Sequence, residues 1–376
     1  MRRPCLFVLC CGLVGTVPSA RADQVPARYR PAINKGLMWL AGQQARDGHW
    51  EMPGRGYPVA LTALAGMSFL MEGSTTSQGR YARTIRRTRD WLVLQAQPNG
   101  LIADARNAAE AGRPLFGHGY AMLFLANIYG NENNRDLRKK LEDVLTRAAR
   151  YSRQAQTVRG GWGYCEARAG GGFDEASGTV VQVQALRAVR DAGILVPKDA
   201  IPDALRYLEH STTRNGGVLY ILNRGDPSPA LTAAAIACGR RPGEFGSPLV
   251  RDQLLYCQEH IPLSLKFRQD FRLGIDEFTH YYYAQVVHAL DDDGWVRLFP
   301  GSKPAERITW KKYRAAVFGD IVRAQAADGS FAGSFPSVVY TTAVCLSILQ
   351  LDTDCLPIYQ RGPIPDLARE RPRRPG

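Results

Sequence analysis

The chain of 376 residues is poor in several features that would decide a function at once. Beyond its first twenty residues no apolar run approaches the roughly 18 that cross a bilayer, which excludes an integral membrane protein built of helices. No Cys-x-x-Cys pair and no metal-ligand spacing occurs among its cysteines, so no bound metal is expected. A glycine-rich phosphate loop and a serine nucleophile elbow are both missing. No basic stretch interleaved with aromatics offers a platform for nucleic acid. Nothing in the pattern calls for a cofactor. No linker is long enough to divide the chain into two domains.

What remains is ordinary globular material: 45% hydrophobic and 22% charged residues exclude wholesale disorder. Met1-Arg2-Arg3, the apolar run Leu6 to Val17 and the small-x-small triplet Ala20-Arg21-Ala22 together read as a signal peptide over residues 1–22. Cys10 and Cys11 lack the small residue that a lipoprotein cleavage site places before its cysteine. The mature chain is therefore expected to start at Asp23 and to be periplasmic or extracellular. Loss of the leader takes three arginines and no acid, lowering the net charge from +13 to +10. It also leaves five of eight cysteines, with pairing that spacing does not assign. Residues 361–376 form a Pro/Arg-rich tail expected to be disordered. One domain is expected over 23–360.

Self-similarity organises that domain. A helical run leads through Gln to a turn of the form Asp/Asn/Gly-Gly-x-apolar, and then to a second run rich in Ala, Leu and Thr. The first copy holds Trp39, Gln43-Gln44 and Asp47-Gly48-His49-Trp50, then Val59 to Leu64. The last holds Phe318, Gln325 and Asp328-Gly329-Ser330-Phe331, then Val339 to Val344. The turn glycines Gly48, Gly100, Gly160, Gly216 and Gly329 are separated by 52, 60, 56 and 113 residues. The last gap is twice the unit, which places a worn copy near residue 272, where Gly274 stands. The second runs are apolar on every side, as helices buried all round must be. The first runs carry Arg and Lys on one face. An open superhelix would need a more polar inner row and capped ends. The pattern predicts an all-α fold, an (α/α)6 toroid of six helical hairpins, with small-residue helices inside and amphipathic helices outside. Asn223 to Pro229 is read as a loop within one repeat.

These repeats resemble the prenyltransferase and squalene-oxidase repeats of the terpenoid-cyclase and protein-prenyltransferase superfamily, in Gln43/Asp47-Gly48-His49-Trp50 and Gln325/Asp328-Gly329-Ser330-Phe331 above all. Phe116-Gly117-His118-Gly119-Tyr120-Ala121 and Gly160-Gly161-Trp162-Gly163-Tyr164 are similar to stretches of exported bacterial single-toroid members whose function is unassigned. The resemblance implies a fold; chemistry has to be found in a site. The superfamily's motifs are missing. Asp291-Asp292-Asp293 is the only acidic cluster, but it follows an inner helix and reads as a solvated turn rather than an alkene-protonating D-x-D-D. No Asp-x-Cys pair supports a zinc site, and the Gly-Cys-Gly-Glu-Gln thioester sequence is absent.

The loops after each turn deliver another set of groups to one mouth of the ring. His118, Asp174, Asp276, Glu277 and His280 are the catalytic candidates, because a His beside a carboxylate serves as acid or base. Tyr120, Thr179, Tyr282 and Tyr340 are the binding candidates. The competing reading makes Asp174, Asp276 and Ser177 helix caps and packs the rings between repeats, with Trp50, Trp162 and Phe331 as plugs. The expectation is a binding or scaffold toroid for an apolar ligand, a glycan or a protein partner. The alternatives are an isoprenoid- or lipid-acting enzyme with non-standard carboxylates and a polysaccharide-active toroid. The last of these requires an aromatic-lined, carboxylate-bearing groove.

Overall fold

The computed structural model describes residues 25–51, 56–167, 172–239, 247–265, 276–332 and 337–359, with the Asp276 side chain excepted. The proposed leader, Gly274 and the 361–376 tail lie outside the described residues. Six helices form an outer layer: α1 (Arg30–Gly42), α3 (Ala82–Leu94), α6 (Arg135–Ala155), α8 (Ala200–His210), α10 (Pro248–His260) and α12 (Trp310–Arg323). Six alternate with them inside: α2 (Pro58–Met71), α5 (Pro114–Tyr129), α7 (Ala176–Asp191), α9 (Pro229–Cys238), α11 (Asp276–Leu298) and α13 (Val338–Leu349). A single extra turn, α4 (Ala108–Ala111), precedes α5.

Burial follows the composition that separated the two classes. Every residue of α2 is buried. In α6 only a stripe is buried, including Leu141, Val144, Leu145, Ala148, Ala149 and Ser152, three and four apart. The inner helices pack in chain order, and α13 packs back on α2, so the ring closes as an (α/α)6 toroid. The first outer helix lies on the last inner one, α1 on α13. Across that seam the Ser68 hydroxyl donates to the Ala343 carbonyl at 3.0 Å and the Gln350 amide to the Ser68 carbonyl at 3.1 Å.

The repeated Gln and Gly are the joints between neighbours. Gln44 donates to the carbonyl of its own turn glycine, Gly48 (2.9 Å), and to Thr84 of the next outer helix (3.1 Å). Gln156 does the same with Gly160 (2.7 Å) and Ala200 (2.9 Å). Gln325 bonds Gly329 (2.9 Å) and, closing the circle, Ala32 (2.8 Å). The five described turn glycines have φ between +87° and +113°. A β-carbon on Gly48 would meet the Arg87 carbonyl oxygen at 2.4 Å. Both the backbone conformation and the close approach exclude a side chain. The metre of glycines in the sequence is therefore the metre of the interfaces.

One feature departs from the expectation, and the acidic run agrees with it. The segment read as a loop is an antiparallel hairpin, β1 (Val218–Ile221) with β2 (Arg224–Ser228), turned by Asn223 and Gly225 at positive φ. The acidic run lies within α11, interrupted at Asp291 (φ 46°), with Asp292 and Asp293 exposed as a solvated turn would be. No disulfide links cysteines among the described residues. No described helix is long and apolar enough to cross a membrane.

Candidate functional site

The inner helices all begin at one pole, and in five repeats a second repeated bond fixes the loop to its helix there. The N–H of Trp50 donates to Thr62 Oγ1 (2.9 Å), that of Trp162 to Thr179 (3.0 Å), that of Val218 to Thr232 (2.8 Å) and that of Phe331 to Thr342 (3.0 Å). In the second repeat His118 stands where the others have threonine: Ile102 N–H donates to its Nδ1 at 3.1 Å. The proton must then sit on Nε2, which faces Ser152 Oγ at 3.1 Å. That hydroxyl in turn donates a hydrogen bond to Gln182 Oε1 at 2.9 Å. Burial lowers the His118 pKa to about 4, so the ring is neutral. His280 is the fifth residue of α11, as His118 is of α5. Its ring faces Tyr313 OH (2.8 Å) and the Ser264 carbonyl (3.2 Å), and burial lowers its pKa to about 4.

Asp174 is fully buried beside the third loop. It accepts from Thr157 Oγ1 (2.6 Å) and, on both oxygens, from the Arg159 guanidinium (3.0 and 2.9 Å). The helix cap expected of Asp174 or Ser177 is supplied by the residue between the loop and α7, Glu175, whose carboxylate accepts from Gly178 N–H at 2.6 Å and Ser177 N–H at 3.1 Å. Burial raises the Glu175 pKa against those bonds. Thr179 holds Trp162, as above, and donates to the Glu175 carbonyl at 2.7 Å.

The tyrosines behave differently, because they meet across the ring axis. Tyr120 comes from α5 and lies beside Tyr282 of α11, Tyr359 and Tyr340 of α13. Tyr281 and Tyr359 share a 2.8 Å hydroxyl contact. Glu277, buried, sits by Tyr340 and Cys345. Burial pushes the Tyr120 pKa up to about 12 and those of Tyr281, Tyr282 and Tyr340 well above the ordinary 10, so the phenols stay neutral donors. Further along the axis Gln184 of α7 donates to Gln285 of α11 at 3.0 Å. The pole thus brings together Tyr120, Glu277, Tyr282 and Tyr340, and places Asp174, His118, His280 and Thr179 in the seams between repeats. Asp276 opens α11. No group of metal-ligating side chains occurs among the described residues.

Two sets of residues escaped the sequence reading. Glu110, on α4, is fully buried; its Oε2 accepts from Val59 N–H at 3.2 Å, and its Oε1 has no hydrogen-bond partner among the described residues. Gly117 leaves room for it, since a β-carbon there would lie 2.4 Å from Oε1. Burial, with Asp104 nearby, raises the Glu110 pKa to about 8. The second set is a half-exposed aromatic cluster around Tyr164 and Tyr220 at the mouth of repeats two to four. Glu110 lies in an inserted turn and Tyr220 on a strand, so the repeat pattern gave neither any signal.

No family model matches the chain, and no curated protein sequence matches it. Solved structures do. The apo type II terpene cyclase MstE from Scytonema superposes with a TM-score of 0.55 at 15% identity, covering 88% of this chain and 99% of the other. A protein from Actinoplanes gives 0.55 at 15% identity over 85% and 98%. The GH76A α-1,6-mannanase from Salegentibacter gives 0.57 at 7% identity over 86% and 98%. The resemblance to terpenoid-cyclase toroids holds in three dimensions. At such identities it concerns the fold, which carbohydrate enzymes share.

Proposed function

We propose that this chain is an exported binding toroid that holds a ligand at the pole where its inner helices begin, without turning it over. One observation carries the reading. Three of the acid–base candidates are engaged in holding the structure together: Asp174 by Arg159 and Thr157, His118 by Ile102 N–H and Ser152, and His280 by Tyr313 and the Ser264 carbonyl. A base poised near neutral pH is the usual requirement for such chemistry, and burial holds both histidines far below it. The tyrosines that do converge are neutral hydrogen-bonding and stacking groups. Export rests on the leader read over residues 1–22, and N-terminal sequencing of secreted protein should start at Asp23. The function is tested by incubating purified protein with geranylgeranyl dihydroxybenzoate, present in one MstE complex, and with α-1,6-mannan. Mass spectrometry should find no product. Turnover of either at an enzymic rate would overturn the proposal.

A second reading has one observation in its favour. Glu110 is a carboxyl kept protonated at neutral pH, with an oxygen free to donate, as a proton donor to a lipid or glycan would be. It predicts product formation that Glu110→Gln abolishes while the helical circular-dichroism spectrum is unchanged.

A further inference from the structure

The aromatic residues that follow the turn glycines, Trp50, Trp162 and Phe331, are wholly buried. A second group is not. Phe116 stands near the start of α5, Tyr164 and Phe173 on the loop into α7, and Tyr220 on β1. The Tyr164 ring centroid lies 5.9 Å from that of Phe116 and 5.5 Å from that of Phe173. Its hydroxyl is 2.7 Å from the hydroxyl of Tyr220. Phe116, Tyr164 and Phe173 are half-buried and Tyr220 is 38% exposed. These residues come from three successive repeats, so the patch is a product of the fold and not of one local sequence.

Polar groups of both kinds adjoin the rings. The Arg113 guanidinium lies over Tyr164, 4.5 Å from its centroid. The half-buried Ser177 hydroxyl adjoins the Tyr220 hydroxyl, while Glu175 beneath it is fully buried with its carboxylate taken up by the cap of α7. The chemistry discriminates among ligands. An isoprenoid chain would take the Arg113 guanidinium and the Tyr220 and Ser177 hydroxyls out of water without offering a hydrogen bond in exchange, which costs free energy. A pyranose presents an apolar C–H face to an aromatic ring and hydroxyls at its edge that both donate and accept. Donation suits the oxygens of Tyr164, Tyr220 and Ser177, and acceptance suits the same hydroxyls and Arg113.

We infer that Phe116, Tyr164, Phe173 and Tyr220, with Arg113 and Ser177, form a saccharide-binding subsite at the pole of the toroid. The inference rests on the binding reading above and names its ligand class. The subsite lies on the repeat-two-to-four side of the pole.

The test is calorimetric titration of the full mature chain with α-1,6-mannotetraose, cellotetraose and maltotetraose, and separately with geranylgeraniol in detergent micelles. At least one tetrasaccharide should bind saturably, and Tyr220→Ala should weaken it about tenfold or more. Tyr164→Phe keeps the ring and removes only the hydroxyl; it should weaken binding while the melting temperature stays put, which separates recognition from folding. The inference is overturned if no tetrasaccharide binds, or if both variants bind like the parent. Binding of geranylgeraniol alone would overturn it and leave the binding toroid standing. Cleavage of a tetrasaccharide that is lost in Tyr220→Ala would do the reverse, supporting the subsite and removing the non-catalytic reading.

Discussion

Gly329 is seated against the backbone of Lys35: a β-carbon on the glycine would fall 2.5 Å from the lysine's carbonyl oxygen. Two residues 294 apart in sequence thereby set the distance at which the last repeat meets the first. Gly329→Ala should destabilise the protein by about 3 kcal/mol, from the strained φ of +101° and from overpacking together. Gly193→Ala is the control, since Gly193 has φ +89° but open space around it. It should cost only about 1 kcal/mol of backbone strain. Equal urea midpoints for the two variants would show that the seam is not tight.

Asp174 and Arg159 give a second stability test. The carboxylate is fully buried, whereas the arginine side chain is half exposed, so screening reduces what the pair contributes. Arg159→Met leaves the buried charge with Thr157 alone and should cost about 2 kcal/mol. Asp174→Asn should cost less, because a neutral amide suffers less from losing the guanidinium. An Arg159→Met protein as stable as the parent would mean that Asp174 is not held by this pair.

His118 is expected to tolerate another acceptor. His118→Asn can still receive the Ile102 N–H, whereas His118→Leu leaves that buried donor unmet at about 1–3 kcal/mol. Chemical denaturation should rank parent, Asn and Leu in that order. The opposite order for Asn and Leu would argue that volume, not the hydrogen bond, decides the site.

The pH profile has two limbs. His118 and His280 have folded pKa values of about 4, below the ordinary 6.5. Between those values the unfolded chain binds protons that the folded one does not, so stability is lost as pH falls from 6.5 towards 4. Glu110 has a folded pKa of about 8, above its ordinary 4.5. There the folded chain holds the extra proton, so stability is lost as pH rises from 4.5 towards 8. The three groups together place the maximum near pH 6.5. Glu110→Gln should remove the alkaline limb, raising the melting temperature by several degrees at pH 8 and hardly at pH 5. An unchanged alkaline limb would mean that Glu110 ionises freely.

The ring was legible because its joints are backbone facts. A positive-φ glycine under a neighbour's carbonyl has no substitute, and in three repeats a Gln that serves both sides of the joint travels with it. The roles of individual polar groups were harder to read. Asp174 and Glu175 are adjacent acids, and which caps α7 depends on where the helix starts, to within one residue. The histidines did carry a signal, since Thr62, Thr179, Thr232 and Thr342 occupy their station in other repeats. Glu110 and Tyr220 lay in additions to the repeat, one a helical turn and the other a hairpin, where the period has nothing to say.

The bond from Gln325 to Ala32 has a consequence for how the molecule is made. A chain emerging amino terminus first presents α1 long before its resting place on α13 exists. That helix must wait, half its apolar stripe bare, until nearly three hundred further residues have appeared. Such distant pairing is slow and leaves a sticky intermediate. The opening repeat is thus the one most in need of shelter during biosynthesis.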